Sequence, residues 1–179
     1  MKATGIVRRI DDLGRVVIPK EIRRNLRIRE GEPLEIFVDK DGGVILKKYS
    51  PIGELSTLAA EYASAIHDSL SLPVFVSDRD SIVAAEGVSK KDYIGRRIGF
   101  FVERAMSERR SLLNNNNNEP WLAEDNEGDL TLSGCLAVPI IVQGDPVGAV
   151  IIASNDTLGD MEIKVAQSAA AVLAKQMDS

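Results

Sequence analysis

Residues 5–28 read GIVRRIDDLGRVVIPKEIRRNLRI. Six arginines and one lysine fall in 24 positions, in a chain whose formal net charge is −5. Ile6, Val7 and Ile10, with arginines between, read as a strand over 4–11. DDLG, 11–14, reads as a turn, because Asp bonds locally to backbone and Gly14 accepts positive φ. Arg15–Ile18 read as a second strand that Pro19 ends, since proline has no N–H for a ladder. Pro19 suits the first turn of a helix over KEIRRNLRI, with Ile22 and Leu26 on its inner face and Arg23, Arg24 and Arg27 turned away. Asp11 either braces an arginine across the turn or is simply a turn residue.

The next stretch, GEPLEIFVDKDGGVILKKY (31–49), carries two alternating runs about DKDGG. It reads as a hairpin with Leu34, Ile36 and Val38 on one side, followed by Val44 and Leu46. A module of about fifty residues buries too little surface to be comfortably stable alone. The chain has one cysteine, Cys135, and one histidine, His67, so neither a disulfide nor a Cys/His zinc site can help. Dimerisation, with two interleaved copies sharing one core, is the remaining remedy.

Charge divides the chain. Residues 1–29 carry net +6 and residues 1–50 net +4, whereas 51–179 carry net −9. An asymmetry of this kind indicates two modules with different partners. Hydrophobic residues at 44% and charged residues at 27% are ordinary for a soluble globular protein. No apolar run approaches the ~18 residues of a membrane span, and no signal peptide is visible.

The two quoted stretches resemble the swapped-hairpin DNA-binding domain of the AbrB family of bacterial transition-state regulators. The fold this implies is two-domain α+β. An N-terminal swapped-hairpin β-barrel dimer (1–52) precedes a C-terminal GAF-like α/β domain with an antiparallel sheet (53–179), joined by a helix at 53–71. The resemblance implies a sequence-specific transcriptional regulator, activator and repressor, acting in sporulation. It implies double-stranded DNA as partner, self-association to a homotetramer, and a cytoplasmic, nucleoid-associated place in the forespore. The matching positions for DNA contact are Arg8, Arg9, Arg15, Arg23 and Arg24, assisted by Lys2. Physics agrees, because Arg carries a planar, permanently charged fork suited to phosphate and guanine edges. The acidic remainder does not cancel this face, because salt screens charge beyond ~8 Å.

The second half opens at Ser50 and Pro51 as N-cap and first helical residue. Leu55, Leu58, Ala59, Tyr62, Ala63, Ile66 and Leu70 then form a helical stripe, with His67 beside it as a surface or interface residue. Residues 74–87 read as two strands about DRDS, and SKKD (89–92) has capping-box spacing. Helical signals run through 93–113, interrupted at Gly95 and Gly99. Asn114–Asn118 is low-complexity and reads as a mobile loop without function. LTLSGCLAVPIIVQGDPVGAVIIAS gives two long apolar strands about QGDP. A final helix follows, with Met161, Val165, Ala169, Val172 and Leu173 as its stripe. The first and last helices of this half are expected to pair between chains.

A small ligand of unknown identity would draw on Phe101, Cys135 and Val138, which could equally be plain core. No phosphate-binding glycine loop, cyclic-nucleotide signature, cofactor motif or metal set is present. With His67 alone on a helix, no His-dependent nucleophile is assembled, so no enzyme is expected. Two other readings stay open. One is a MazE-type antitoxin, in which the acidic half would be a flexible tail, although its regular patterning favours a folded domain. The other is a small-molecule sensor whose basic domain only oligomerises.

Overall fold

The computed structural model describes residues 5–54, 56–116, 119–123, 132 and 134–178. The chain folds as two compact units that part between Tyr49 and Ser50.

In the first unit, residues 5–10 and 15–19 are extended about a turn at 12–14. The Asp11 amide donates to the Arg15 carbonyl at 3.1 Å and the Gly14 amide to the Asp11 carbonyl at 3.0 Å. Where described, the strands read at 4–11 and 15–18 are not formed as ladders within this single chain. Pairing in this unit is confined to one antiparallel hairpin among the described residues. α1 (Lys20–Asn25) is shorter than its sequence suggests. Pro19 stands just before its first turn, at ψ 149, and Arg27 leaves it with φ 52. The hairpin, β1 (Leu34–Val38) and β2 (Val44–Lys48), pairs Leu34 with Lys48 and Val38 with Val44.

The apolar faces read from the sequence are open in one chain. Leu26, placed inward by its spacing from Ile22, is exposed, and α1 buries no residue at all. Val38 is 78%, Val17 70% and Val7 85% exposed. Alternation fixed which side of each segment is apolar, but the unit contains too little chain to cover that side.

The second unit begins with α2 (Pro51–Glu54) and α3 (Ser56–Leu70). β3 (Val74–Ser77), β4 (Ile82–Glu86), α4 (Lys90–Tyr93), α5 (Phe100–Glu108) and β5 (Leu112–Asn114) follow. β6 (Gly134–Val142), β7 (Asp145–Ser154) and α6 (Asp160–Met177) complete it. The described strands form one antiparallel sheet in the order β4-β3-β7-β6-β5. Gln143 and Gly144, at φ 50 and 88, make a two-residue turn between β6 and β7 of the kind that matches strand twist.

Each strand sends alternate residues into two cores. α3 and α6 cover one face over Val74, Leu136, Ile140, Val150 and Ile152. On the other face α4 and α5 cover Phe75, Ala137, Ala149 and Ile151.

Several local readings change. The inner residues of α6 are Ala166, Ala169, Ala170 and Leu173, while Met161 is 61% exposed. Alanines let the helix axis approach the sheet, and the helix beds on them together with Leu173. The stripes of α3 and α6 are largely consumed inside their own unit. Ser89 makes no side-chain cap, because α4 is a single turn. His67 is half-buried and pins a loop: its Nδ1–H donates to the Leu72 carbonyl at 2.7 Å. A Cβ on Gly87, at φ 77, would strike the His67 ring.

The asparagine run is also structured where it is described. Asn114 ends β5. Asn115 works like a strand backbone toward Leu158, donating from Nδ2 to its carbonyl at 3.1 Å and accepting its amide on Oδ1 at 3.0 Å. It thereby fastens the segment entering α6 to the sheet edge. Asn117 and Asn118 lie outside the described residues. Asn115→Ala strands both Leu158 groups and is expected to cost about 1–3 kcal/mol. Asn116→Ala, at an exposed position, should stay within about 0.5 kcal/mol. Thermal unfolding of the two variants checks this.

Candidate nucleic-acid interface

The basic residues of the first unit sit where local geometry keeps them in water. Arg8 and Arg9 lie on the extended segment before the turn, Arg15 directly after it, and Arg23 and Arg24 in the last turn of α1. All five are exposed. Lys2 lies outside the described residues. Arg8 uses one terminal nitrogen on the Val7 carbonyl at 3.2 Å. The side chains of Arg9, Arg23 and Arg24 have no partner among the described residues.

Arg15 is held differently. Asp11 Oδ1 accepts the Leu13 amide at 3.0 Å and the Arg15 amide at 2.8 Å, while Oδ2 accepts Arg15 Nε at 2.8 Å. Asp11 is therefore both turn residue and brace. Only Nε is used, so the two terminal nitrogens of Arg15 stay free to point outward. The Arg15 amide, and then its guanidinium, hold the Asp11 carboxyl below its ordinary range. The residue sequence reasoning left undecided is thus the one that orients a candidate contact residue. The signal was the i, i+4 Asp–Arg spacing across a glycine turn.

Arg27 and Arg29, outside the family set, sit in the helix exit. The Arg27 carbonyl accepts Lys48 Nζ at 2.9 Å, and the Arg29 amide donates to Glu32 at 2.8 Å. These bonds tie the end of α1 to β2.

In the second unit the three residues read as one pocket do not share a side of the sheet. Phe101 and Cys135 belong to the core beneath α4 and α5, and Val138 to the core beneath α3 and α6. The strand alternation between positions 135 and 138 separates them. Burial pushes the Cys135 thiol up, so it behaves as a small apolar side chain. Phe75 packs against both Tyr93 and Trp121, at centroid distances of 4.9 and 4.8 Å, and those two rings stack at 6.4 Å. The buried Tyr93 hydroxyl has no hydrogen-bond partner. Among the described residues, no group of His, Cys, Asp and Glu could hold a metal, and no helix is long and apolar enough to cross a membrane.

The second unit has the fold of a GAF domain. It superposes on the GAF domain of Acinetobacter phosphoenolpyruvate-protein phosphotransferase with a TM-score of 0.59 at 11% identity, covering 73% of this chain and 84% of that one. Residues 7–54 match the family described as antidote-toxin recognition MazE, bacterial antitoxin. Over 51 residues the chain is 65% identical to the transition state regulatory protein AbrB of Bacillus subtilis (strain 168), covering 28% of this chain and 52% of the relative. An AbrB-type module joined to a GAF-fold unit defines a two-domain transcription factor. Residues 54–178 match the family described as stage V sporulation protein T C-terminal, transcription factor. Stage V sporulation protein T of B. subtilis (strain 168) is 55% identical over 179 residues, 99% of each chain. The chain belongs to the stage V sporulation protein T family.

Because the Asp11 carboxyl is depressed, its bonds to the turn are complete above the ordinary carboxylate range and lost as pH falls through the lowered value. Asp11→Ala is expected to speed hydrogen exchange at the Leu13 and Arg15 amides near neutral pH and to leave α6 unchanged. Amide exchange followed by NMR checks it.

Proposed function

We propose that the chain binds double-stranded DNA through Arg8, Arg9, Arg15, Arg23 and Arg24, with Lys2, and regulates sporulation genes as activator and repressor. The observation that carries this reading is the set of five exposed arginines on a net-positive unit, one of them pre-oriented by a carboxylate. Pre-orientation lowers the side-chain entropy lost on contact. The similarity to AbrB supports the same reading.

The DNA-binding form is a dimer of the first unit in which a second copy covers Val7, Val17 and Val38. Exposed apolar surface on this scale marks an interaction face. Pairing of the second units would then make a homotetramer. Of the described residues in the stripes of α3 and α6 only Met161 is exposed, so that pairing uses the outer flank of α6. Signal sensing belongs to the aromatic layer of the second unit, where the unpaired Tyr93 hydroxyl offers a donor to a small ligand. The folded second unit counts against a MazE-type antitoxin with a flexible tail.

With about eight arginines per dimer on phosphates, log K against log salt should have a slope of about −7. A slope near zero would remove the electrostatic basis of this reading. Arg15→Ala and Arg23→Ala should each weaken DNA binding and leave the unfolding temperature near wild type, since both side chains sit in solvent. Early melting of these variants would mean that the arginines serve the fold instead. Sedimentation of segment 1–52 should give a dimer, and a folded monomer would refute the shared core.

A further inference from the structure

A groove of about 400 Å³ runs along the second unit between α6 and the outer edge of β6. Its walls are Ala170, Ala171 and Ala174 of α6 and Val138, Pro139 and Ile141 of β6. It exists because β5 is short. Pairing of β5 with β6 stops at Leu112 opposite Ala137, while β6 runs on to Val142. The alanines then leave room that larger side chains would fill.

Two arginines stand at the groove. Arg109 follows α5 with φ 51, a left-handed position that glycine usually occupies. The chain thus carries a strained arginine where glycine would fit without strain. Its Nε donates to the Gly144 carbonyl at 2.8 Å, a neutral partner, and no carboxylate pairs with it among the described residues. Arg110 shares its charge with Glu108, at 2.6 Å from Nε. A cationic rim is unusual on a half that carries net −9 over residues 51–179.

We propose that this groove is a docking site for a short, extended, acidic peptide of a partner protein, with apolar side chains against the alanines and carboxylates on Arg109 and Arg110. Charge complementarity selects the occupant's sign. Length selects its form: Gln167 to Ala174 spans about 10 Å of helix, the reach of about three extended residues. Backbone addition to β6 is not the mode of recognition. Pro139 lacks an N–H, which interrupts any ladder an added strand could form along β6. Side chains therefore do the recognising. The groove is built from residues of the second unit alone and does not depend on the assignment of the DNA-contact residues.

The test uses the full chain and a fluorescent pentapeptide, blocked at both ends, alternating glutamate and valine. Saturable anisotropy binding is expected, with amide shifts at Ala170 and Ala171, and none with the lysine–valine counterpart. Arg109→Gly keeps the left-handed cap and should preserve or raise the unfolding temperature while weakening peptide binding at least tenfold. Ala171→Trp, at an exposed position, should fill the groove and abolish binding. No saturable binding up to millimolar peptide overturns the proposal, as does wild-type binding by both variants. Octanoate moving the same amides with equal affinity overturns the peptide assignment in favour of a small carboxylate.

Discussion

The pairing of β6 with β7 governs the second unit. Nine residue pairs run from Gly134 opposite Ser154 to Val142 opposite Asp145, closed by a turn of two residues with positive φ. A strand has a side-chain period of two, so this one register decides which residues enter which core. It puts Leu136, Val138 and Ile140 under α3 and α6, and Cys135 and Ala137 under α4 and α5. A slip by one residue would exchange the two sets. Gly148 is fixed from the other side of β7, by its pairing with β3, because a Cβ there would run into the Ser77 carbonyl. The central hairpin therefore sets the layers, and the β3–β7 pairing sets where a small residue is required.

The first unit obeys the opposite constraint. It has a hairpin, a six-residue helix and two arms, which cover one another only in part: Ile18, Ile22, Ile28, Leu34 and Ile45 are half-buried and none of the unit's described residues is fully buried. Its polar arrangements are nevertheless well formed. Asp11 closes a turn, Lys48 ties β2 to the helix exit, and Glu32 meets both the Arg29 amide and Lys48. Local hydrogen bonds need only neighbouring residues, whereas a hydrophobic core needs mass. A single copy can therefore shape the basic turn and helix and still lack a core. The two units divide the work accordingly, with a buried apolar core on each face of the sheet in the GAF-fold half and local polar geometry in the basic half.

What the sequence alone determined follows from short-range rules. Charge segregation located the basic unit, glycine and proline placed the turns, alternation identified β1 and β2, and apolar runs about turns identified β3, β4, β6 and β7. The arginines were legible because solvent exposure of a charged side chain needs no tertiary information. The long AbrB-like motif added the family. Other features were decided only when distant segments met. The Asn115 contact with Leu158 spans 43 positions, so a run of asparagines looked like an inert loop. In α6 the stripe held at Ala169 and Leu173, while contact with the sheet added Ala166 and Ala170 and left Met161 outside. Val138 parted from Phe101 and Cys135 once β6 had a helix layer on each side. The groove beside Arg109 arose from the different lengths of β5 and β6. Sequence pattern gives the direction in which a side chain leaves its own element. What it meets there is set by packing among elements far apart in the chain, and that belongs to the tertiary structure.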